Sequence, residues 1–334
     1  MHSLAISIPI YKRPDLLDNC LASIVAELNA NSDTTVWLFD DSCDDTNAGV
    51  IDKYRRQHVH IVHIRNEKNL GISANIHKAL TETRADYVWL CGEDDLFVEG
   101  SLARIRGTID HHAPAFIYVD YSYVSNDYSK ITKKRVLDYP ISGFVPARTF
   151  YEECSWAMGF IGSCIVSRDI IEKGCSIDYL DTYFNHVWII LRALPGNDFF
   201  IINEPLVLNR AAGGSSTTWS GQTFKVYEGY YIVLVNLGSV YGQHSRRKAI
   251  RSFNKRLGCF KFRTLIYCQV YDYFDKLTIP SILASKISLT HKIKTMAVLL
   301  IPKMTHTFLR WVIEFQQRVI SEKSRVTNDK LDRC

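Results

Sequence analysis

Residues 87–95 read Tyr-Val-Trp-Leu-Cys-Gly-Glu-Asp-Asp, a short apolar run that stops at a glycine followed by three carboxylates. In open α/β sheets, ligands bind outside the carboxyl ends of the strands, where such a cluster would lie. Adjacent carboxylates repel one another, so a cation, a helix N-terminus or solvation has to offset that repulsion. This stretch therefore predicts a ligand-binding strand end, with one alternative: Asp94 and Asp95 cap a helix expected near Glu99.

The succession of apolar run, turn and helix-length segment recurs along the first half of the chain. Predicted strands are Leu4–Ile10, Thr35–Phe39, Val59–Ile64, Tyr87–Cys91 and Ala115–Val119. Predicted helices between them are Asp15–Leu28, Asp45–Arg56, Ile72–Thr83 and Glu99–Asp110. A polar loop over Ser125–Arg135, a strand over Phe160–Ser167 and a helix over Thr182–Leu194 follow. Strands that alternate with helices predict a mainly parallel α/β sheet flanked by helices.

Length and charge divide the chain in two. A chain of 334 residues is long enough for about two domains. Residues 1–220 carry 20 Lys and Arg against 28 Asp and Glu, a net charge of −8, whereas residues 221–334 carry 20 against 7, a net charge of +13. From Gln222 onward the sequence is aromatic and basic with helical periodicity. We therefore predict a sheet domain over 1–220 and a basic helical appendage over 221–334.

Composition excludes several classes of protein. Hydrophobic residues make up 47% and charged residues 22%, with 17 Gly and 9 Pro, so the chain is neither collagen-like nor disordered. The nine Cys form no C-x-x-C pair, which favours reduced thiols in the cytoplasm. The first residues lack the pattern of a secretory signal, and no apolar run reaches the length of a membrane-spanning helix.

A second acidic cluster, Asp40-Asp41-Ser42-Cys43-Asp44-Asp45, follows the predicted strand over 35–39. Two acidic strand ends in one sheet lie on the same edge, and Asp41 is the residue that we place on a ligand. The alternative is that Asp44 or Asp45 caps the next helix. Because the chain has neither G-x-G-x-x-G nor G-x-x-x-x-G-K-[ST], a phosphate ligand would need a metal ion, Arg or Lys instead.

Four segments in this order resemble the signature of family 2 glycosyltransferases of the GT-A fold. They are Ser7-Ile8-Pro9-Ile10-Tyr11-Lys12-Arg13, Phe39-Asp40-Asp41-Ser42, the stretch Asn66 to Asn75, and Glu93-Asp94-Asp95. Farther along, Gly162-Ser163 with Arg168, the segment 183–188, and Glu204-Pro205-Leu206-Val207 with Arg210 are similar to bacterial O-antigen glycosyltransferases of the abequosyltransferase-like group. The resemblance covers roughly residues 3–215.

The resemblance implies a set of site residues. Those expected to bind the nucleotide-sugar are Pro9, Tyr11, Arg13, Asp41, Asn69, Asn75 and Asp94. Asp95 and Asp94 would hold Mg²⁺ or Mn²⁺ against the diphosphate, although the first acid of the cluster is Glu93 here. In many relatives, the catalytic base is an Asp six residues before an Arg, but the residue six before Arg192 is His186.

Two residues are candidates for the base. An imidazole has a pKa near ~6.5 and accepts a proton at neutral pH, which suits His186, but a hydrogen-bonded structural histidine is the alternative. Asp181 either acts as the base or caps the following helix. If the reaction retains the anomeric configuration, no base is needed, and both residues would position the acceptor.

The implied activity is that of a metal-dependent, hexosyltransferase-type enzyme. It would move a sugar from a nucleoside-diphosphate sugar to a polyprenyl-diphosphate-linked oligosaccharide during bacterial O-antigen or surface polysaccharide synthesis. Alternatives are a non-catalytic nucleotide-sugar-binding protein, a membrane-docked scaffold, and a nucleotidyltransferase, although the last normally carries a Gly-rich basic loop where Tyr11-Lys12-Arg13-Pro14 stands here.

The stretch Phe308 to Ile320 interleaves aromatic and aliphatic residues with Lys and Arg. That pattern is typical of an amphipathic helix lying at an anionic membrane surface, here the inner face of the bacterial cytoplasmic membrane. The alternative is a helix packed on its own domain. No nucleic-acid recognition motif accompanies the positive charge, so we expect no nucleic-acid partner.

Overall fold

A computed structural model describes residues 2–28, 34–57, 60–210, 223–274 and 277–316. These residues form two compact units, one of 2–210 with Gly229–Phe253 and one of 223–228 with 254–316. The division at residue 220 stays a prediction, but the stretch Gly229–Phe253 lies with the first unit. There the Tyr241 hydroxyl donates to the Leu191 carbonyl at 2.7 Å.

One sheet in the first unit contains ten of the described strands. They are β1 (Leu4–Ile10), β2 (Thr35–Asp40), β3 (Ile61–Arg65), β4 (Tyr87–Leu90), β5 (Leu96–Phe97), β6 (Phe116–Val124), β7 (Ile131–Lys133), β8 (Gly143–Pro146), β9 (Cys164–Ser167) and β10 (Asp198–Arg210). Their order is β3-β2-β1-β4-β9-β6-β10-β5, with β7 on β6 and β8 on β10. Strands β3, β2, β1 and β4 run parallel, as do β6 and β10, whereas β9 is antiparallel to both its neighbours. The predicted α/β sheet flanked by helices is confirmed.

The helices are numbered along the chain. Those before residue 200 are α1 (Pro14–Glu27), α2 (Ala48–Arg55), α3 (Ile72–Glu82), α4 (Ser101–His112), α5 (Ala147–Glu153), α6 (Arg168–Gly174) and α7 (Asn185–Ala193). Those after it are α8 (Thr223–Asn236), α9 (Gly238–Tyr241), α10 (Gln243–Arg256), α11 (Phe262–Val270), α12 (Ile279–Ala284), α13 (Leu289–Leu299) and α14 (306–316). The predicted helical C-terminal region is present.

Helix α1 shows how the sequence pattern becomes packing. Pro14 stands in its first turn, where the missing N–H breaks no helical hydrogen bond. Leu17, Leu21 and Ile24 recur at helical spacing, and all three side chains are buried. The apolar face of this helix is therefore its buried face, and α1 contacts β5 of the sheet.

The helix-capping alternatives for the acidic clusters are wrong. Helix α4 follows Gly100, and the backbone N–H groups of Gly100 and Leu102 donate to the Glu27 carboxylate at 2.9 and 3.1 Å. Its N-terminus is thus satisfied from α1, not by Asp94 or Asp95. Helix α2 begins after Asn47, beyond both Asp44 and Asp45. The acidic strand ends are left for another role.

Some predicted boundaries differ from the observed ones. Strand β6 continues to Val124, where it still pairs with β10, and its buried Asp120 carboxylate accepts the backbone N–H groups of Val136, Leu137 and Asp138 at 2.9 to 3.0 Å. A buried charge in mid-strand is thereby satisfied, and β7 forms inside the predicted loop 125–135. Helix α7 starts at Asn185, since residues 180–182 form a separate 3₁₀ turn.

The second unit is helical. Thr278 and Ser281 form a capping box at the start of α12, and Ser288 caps α13. In the described residues, no single helix is both long and apolar enough to span a bilayer. The pair formed by α13 and 303–316 meets the length and composition criteria together but is bent by 79°.

Candidate active site at the carboxyl edge of the sheet

Three neighbouring parallel strands end side by side. Ile10 at the end of β1 pairs with Asp40 at the end of β2, and Ser7 pairs with Leu90 at the end of β4. The segments that leave these strands are in contact, since the Lys12 N–H donates to the Ser42 hydroxyl at 2.9 Å. The two acidic clusters therefore lie on one edge of the sheet, as strand order alone requires.

Glu93 connects the ends of β1 and β4. Its carboxylate accepts the Tyr11 N–H at 2.9 Å and the Arg13 Nε–H at 2.7 Å. Burial raises the pKa of Glu93 to about 7, even though the Arg13 guanidinium favours the charged form. Glu93 thus fixes the segment after β1, a positioning role that its place in the acidic cluster did not reveal.

Asp94 lies between two arginines. Arg13 Nη1 and Arg210 Nη2 both donate to its Oδ2, at 3.1 and 3.2 Å. The side chain of Asp94 is 24% exposed, so it remains open to a ligand. The Tyr128 hydroxyl donates to its backbone carbonyl at 2.8 Å and holds the turn.

Asp95 is buried behind it. The Asn209 amide donates to Oδ1 and the Gly92 N–H donates to Oδ2, each at 3.1 Å. Burial and the neighbouring charge of Asp94 raise the pKa of Asp95 well above its usual value. A Cβ on Gly92 would lie 2.5 Å from Asp95 Oδ2, so only glycine leaves room for this carboxylate.

The carboxylates of Asp94 and Asp95 fit a cation that binds together with a phosphate ligand. They fit a metal site built from protein ligands alone less well. In the described ranges, no cluster of three or more His, Cys, Asp or Glu is placed to hold a metal ion. Asp94 and Asp95 nevertheless supply two adjacent carboxylates, which is the protein share typical of Mg²⁺ sites completed by substrate phosphates. A cation there would offset both the burial and the repulsion from Asp94 that raise the pKa of Asp95.

Asp41 holds the segment before α3. Its Oδ1 accepts the Leu70 N–H at 2.7 Å and the Asn66 amide at 3.0 Å, and its Oδ2 accepts the Gly71 N–H at 2.9 Å. Gly71 has φ of 80°, a left-handed conformation that favours glycine. The structure thus brings Asp41 to the predicted nucleotide segment, while its contact with the nucleotide-sugar stays a prediction.

Two predicted nucleotide contacts behave differently from one another. Asn75 is buried, and its amide donates to the Phe39 carbonyl at 2.8 Å, so it joins α3 to β2. We therefore correct its role to that of a positioning residue. Asn69 is exposed and accepts the Gly71 N–H at 2.9 Å. Pro9 is half-buried in β1, and Tyr11 is 45% exposed at the same edge.

His186 requires a larger correction. Only 1% of the residue is exposed, and its Nε2–H donates to the Met158 carbonyl at 3.0 Å. Burial lowers its pKa to about 4, and Nδ1 is buried with no partner among the described residues. The observed state is the hydrogen-bonded structural histidine, because an enclosed ring does not reach an acceptor hydroxyl.

Asp181 is exposed, within the 3₁₀ turn Leu180–Thr182. This turn contacts α3, the helix that begins beside Asp41. Helix α7 starts four residues later, after Phe184, so the capping alternative for Asp181 is not observed. Asp181 remains the predicted base.

Two site residues escaped the sequence-based list of contacts. Asn209 and Arg210 end β10 and meet Asp95 and Asp94 from more than a hundred positions away. The sequence did offer one indication, since Arg210 follows shortly after the Glu204-Pro205-Leu206-Val207 segment of the resemblance. Only the pairing of β10 with β6 and β5 shows that it returns to the acidic edge.

Comparison with known proteins gives matches of three kinds. Residues 5–174 match the family Glycosyl transferase family 2. Abequosyltransferase RfbV of Salmonella typhimurium is 25% identical over 227 residues, which is 64% of this chain and 68% of that protein. Poly(ribitol-phosphate) beta-glucosyltransferase of Bacillus spizizenii is 27% identical over 104 residues, which is 31% of this chain and 16% of that protein.

Solved structures agree on the fold. S. aureus TarS 1–349 superposes with a TM-score of 0.56 at 12% identity, covering 92% of this chain and 91% of that one. Its complex with UDP gives 0.57 at 13% identity, with 91% of both chains covered. These likenesses show the GT-A fold alone. Since the family match spans residues 5–174, about half of the chain, the protein belongs to glycosyl transferase family 2.

Proposed function

We propose that the protein transfers a glycosyl group from a nucleoside-diphosphate sugar to a polyprenyl-diphosphate-linked oligosaccharide during bacterial surface polysaccharide synthesis. The observation that carries the proposal is the placement of Asp94, Asp95 and the segment held by Asp41 on one edge of the sheet, at the ends of three parallel strands. The similarity to an abequosyltransferase supports the transfer of a sugar.

The donor diphosphate would lie against Asp94 and Asp95. A bound Mg²⁺ or Mn²⁺ ion would supply positive charge for the leaving diphosphate. Arg13 and Arg210 add two guanidinium groups beside Asp94, and guanidinium forks match phosphate oxygens. Arg210 Nε is buried and has no partner among the described residues, so this guanidinium keeps an unused donor beside Asp94.

The acceptor hydroxyl has to lose its proton if the reaction inverts the anomeric carbon. Asp181, an exposed carboxylate in a turn that contacts α3, would accept this proton as the hydroxyl attacks. With retention of configuration, Asp181 would instead orient the acceptor. Product stereochemistry from NMR of the glycosidic linkage distinguishes the two cases.

We further propose that the enzyme works in the cytoplasm at the inner face of the membrane, where a polyprenyl-linked acceptor is held. The +13 net charge of residues 221–334 supports attraction to anionic lipids. The predicted amphipathic stretch 308–320 is helical as far as residue 316, and residues 317–320 lie outside the described ranges.

The deciding experiment measures sugar release and transfer from a panel of nucleoside-diphosphate sugars, with Mn²⁺, with Mg²⁺ and with chelator. We expect turnover with one donor only when a divalent cation is present. Undiminished turnover in excess chelator would contradict the metal-dependent mechanism. Donor binding by calorimetry without any turnover would instead favour a non-catalytic nucleotide-sugar-binding protein.

A further inference from the structure

The second unit carries an exposed apolar surface on two consecutive helices. On α13 it consists of Leu289, Ile293 and Leu300. In the following turn and α14 it consists of Met304, Phe308, Trp311 and Phe315. Each of these seven residues is more than half exposed, and we call them together the apolar surface. Large exposed apolar patches of this kind mark interaction sites.

The spacing shows that each helix has two different faces. Met304, Phe308, Trp311 and Phe315 follow one another at steps of four, three and four, which is a single helical face. On the other side of α14, Ile313 is buried. The aromatic rings are continuous, with centroids 6.2 Å apart between Phe308 and Trp311 and 5.7 Å apart between Trp311 and Phe315.

Both helices are anchored in their own unit. Thr295 and Val298 of α13 are buried, and α13 contacts α11 and α12. Arg310 Nε donates to the Val270 carbonyl at 2.8 Å and so holds α14 to the end of α11. If these helices crossed a bilayer, these contacts would break. The 79° bend also divides the apolar segment into two helices that are each too short to span. Only the outward face is available to a partner.

Charge identifies the partner. Residues 286–316 contain five Lys and Arg and a single acid, Glu314. Two copies of such a surface would repel each other, whereas an anionic lipid surface attracts it. Trp and Phe are also the side chains that enter the boundary between headgroups and acyl chains.

We propose that the apolar surface is a membrane-docking site, which lies on an anionic lipid leaflet with its aromatic residues in the headgroup boundary. The inference rests on the proposed function only in that a lipid-linked acceptor gives the docking its purpose. It extends the contact from the predicted stretch to α13, whose exposed face no sequence pattern had indicated.

The test is co-sedimentation of the full chain with vesicles of phosphatidylglycerol and phosphatidylcholine in equal parts. We expect binding that weakens with salt and is much weaker on pure phosphatidylcholine. Trp311→Glu and Ile293→Glu should each weaken binding by about tenfold or more. Ile141→Glu is the matched control, because Ile141 is 70% exposed in the first unit and should bind like the wild type.

Other outcomes would overturn the docking site. Absent binding at low salt, or binding that both glutamate variants retain, would do so. A dimer by light scattering that Trp311→Glu dissociates, without vesicle binding, would assign the surface to a second copy. Binding that resists an alkaline wash would show insertion across the membrane. Turnover with a soluble oligosaccharide acceptor is measured in parallel, since its absence in the wild type contradicts the proposed function and leaves the vesicle result standing.

Discussion

Two buried carboxylates on the same edge of the sheet have pKa values that are shifted in opposite directions. Asp40, at the end of β2, accepts hydrogen bonds from the Ser42 N–H, the Asn47 amide and His63 Nε2 at 3.0 to 3.2 Å. Burial alone would raise its pKa, but the hydrogen bonds from His63 and Ser42 hold the pKa below the usual value. At the end of β4, burial and the charge of Asp94 raise the pKa of Asp95.

The difference lies in what the protein supplies to each group. Asp40 has donors on both oxygens and a histidine partner, so its charge is compensated within the fold. Asp95 accepts from three neutral groups, the Asn209 amide and the backbone N–H groups of Gly92 and Arg210, and a second carboxylate lies beside it. Without such compensation burial favours the protonated carboxyl, and a bound cation would favour the charged form. The comparison is consistent with a structural role for Asp40, while the ligand role of Asp95 stays a prediction.

The largest effect should come from Asp95→Asn. The amide resembles the protonated carboxyl that burial already favours, so we expect the thermal midpoint without metal to stay within a few degrees of the wild type. Transfer activity should fall at least about a hundredfold, because charge stabilisation of the leaving group is lost. Steady-state kinetics with Mn²⁺ measures this, with exposed Asp52→Asn as the control. Full turnover by the variant would remove Asp95 from the ligand site.

A smaller effect is expected for Asp40→Asn, and it should fall on stability instead of activity. The substitution breaks the charge-assisted contact with His63 and turns an amide N–H toward donors in a buried place. We expect a loss of about 2 kcal/mol in the free energy of unfolding. Urea denaturation followed by circular dichroism measures it. Unchanged stability together with lost activity would show that Asp40 is also a ligand group.

The smallest effect concerns Glu93, whose pKa of about 7 in the folded chain exceeds the ordinary value of 4.5. Between these two values the unfolded chain loses the proton first, so folding stability should decrease as the pH rises from about 4.5 to about 7. Glu93→Gln should flatten this part of the profile, whereas Glu82→Gln, at an exposed position, should not. Urea midpoints measured across this pH range test it, and equal slopes in all three proteins would contradict the burial argument.

The parallel core was predictable because each strand and each helix carries a local apolar pattern, and parallel strand ends must share an edge. Asp41, Asp94 and Asp95 could be placed there for that reason. The predictions that were wrong or incomplete concern features that depend on tertiary contacts. The N-terminus of α4 is capped by Glu27 on α1. One of the two arginines that donate to Asp94 is Arg210, at the end of β10. The burial of His186 against Met158 likewise could not be predicted from the spacing of residues before Arg192.

The return of Gly229–Phe253 to the first unit determines where the gene can be divided. Besides Tyr241, two residues of this stretch contact α5. The Leu234 carbonyl accepts a hydrogen bond from the buried Tyr151 hydroxyl at 2.6 Å, and the Lys248 ammonium pairs with Glu152 at 2.7 Å. A fragment ending at residue 220 would strip these partners from α5 and expose its packed side. A catalytic fragment for crystallisation or for chimeric enzymes should therefore end after α10, at residue 256.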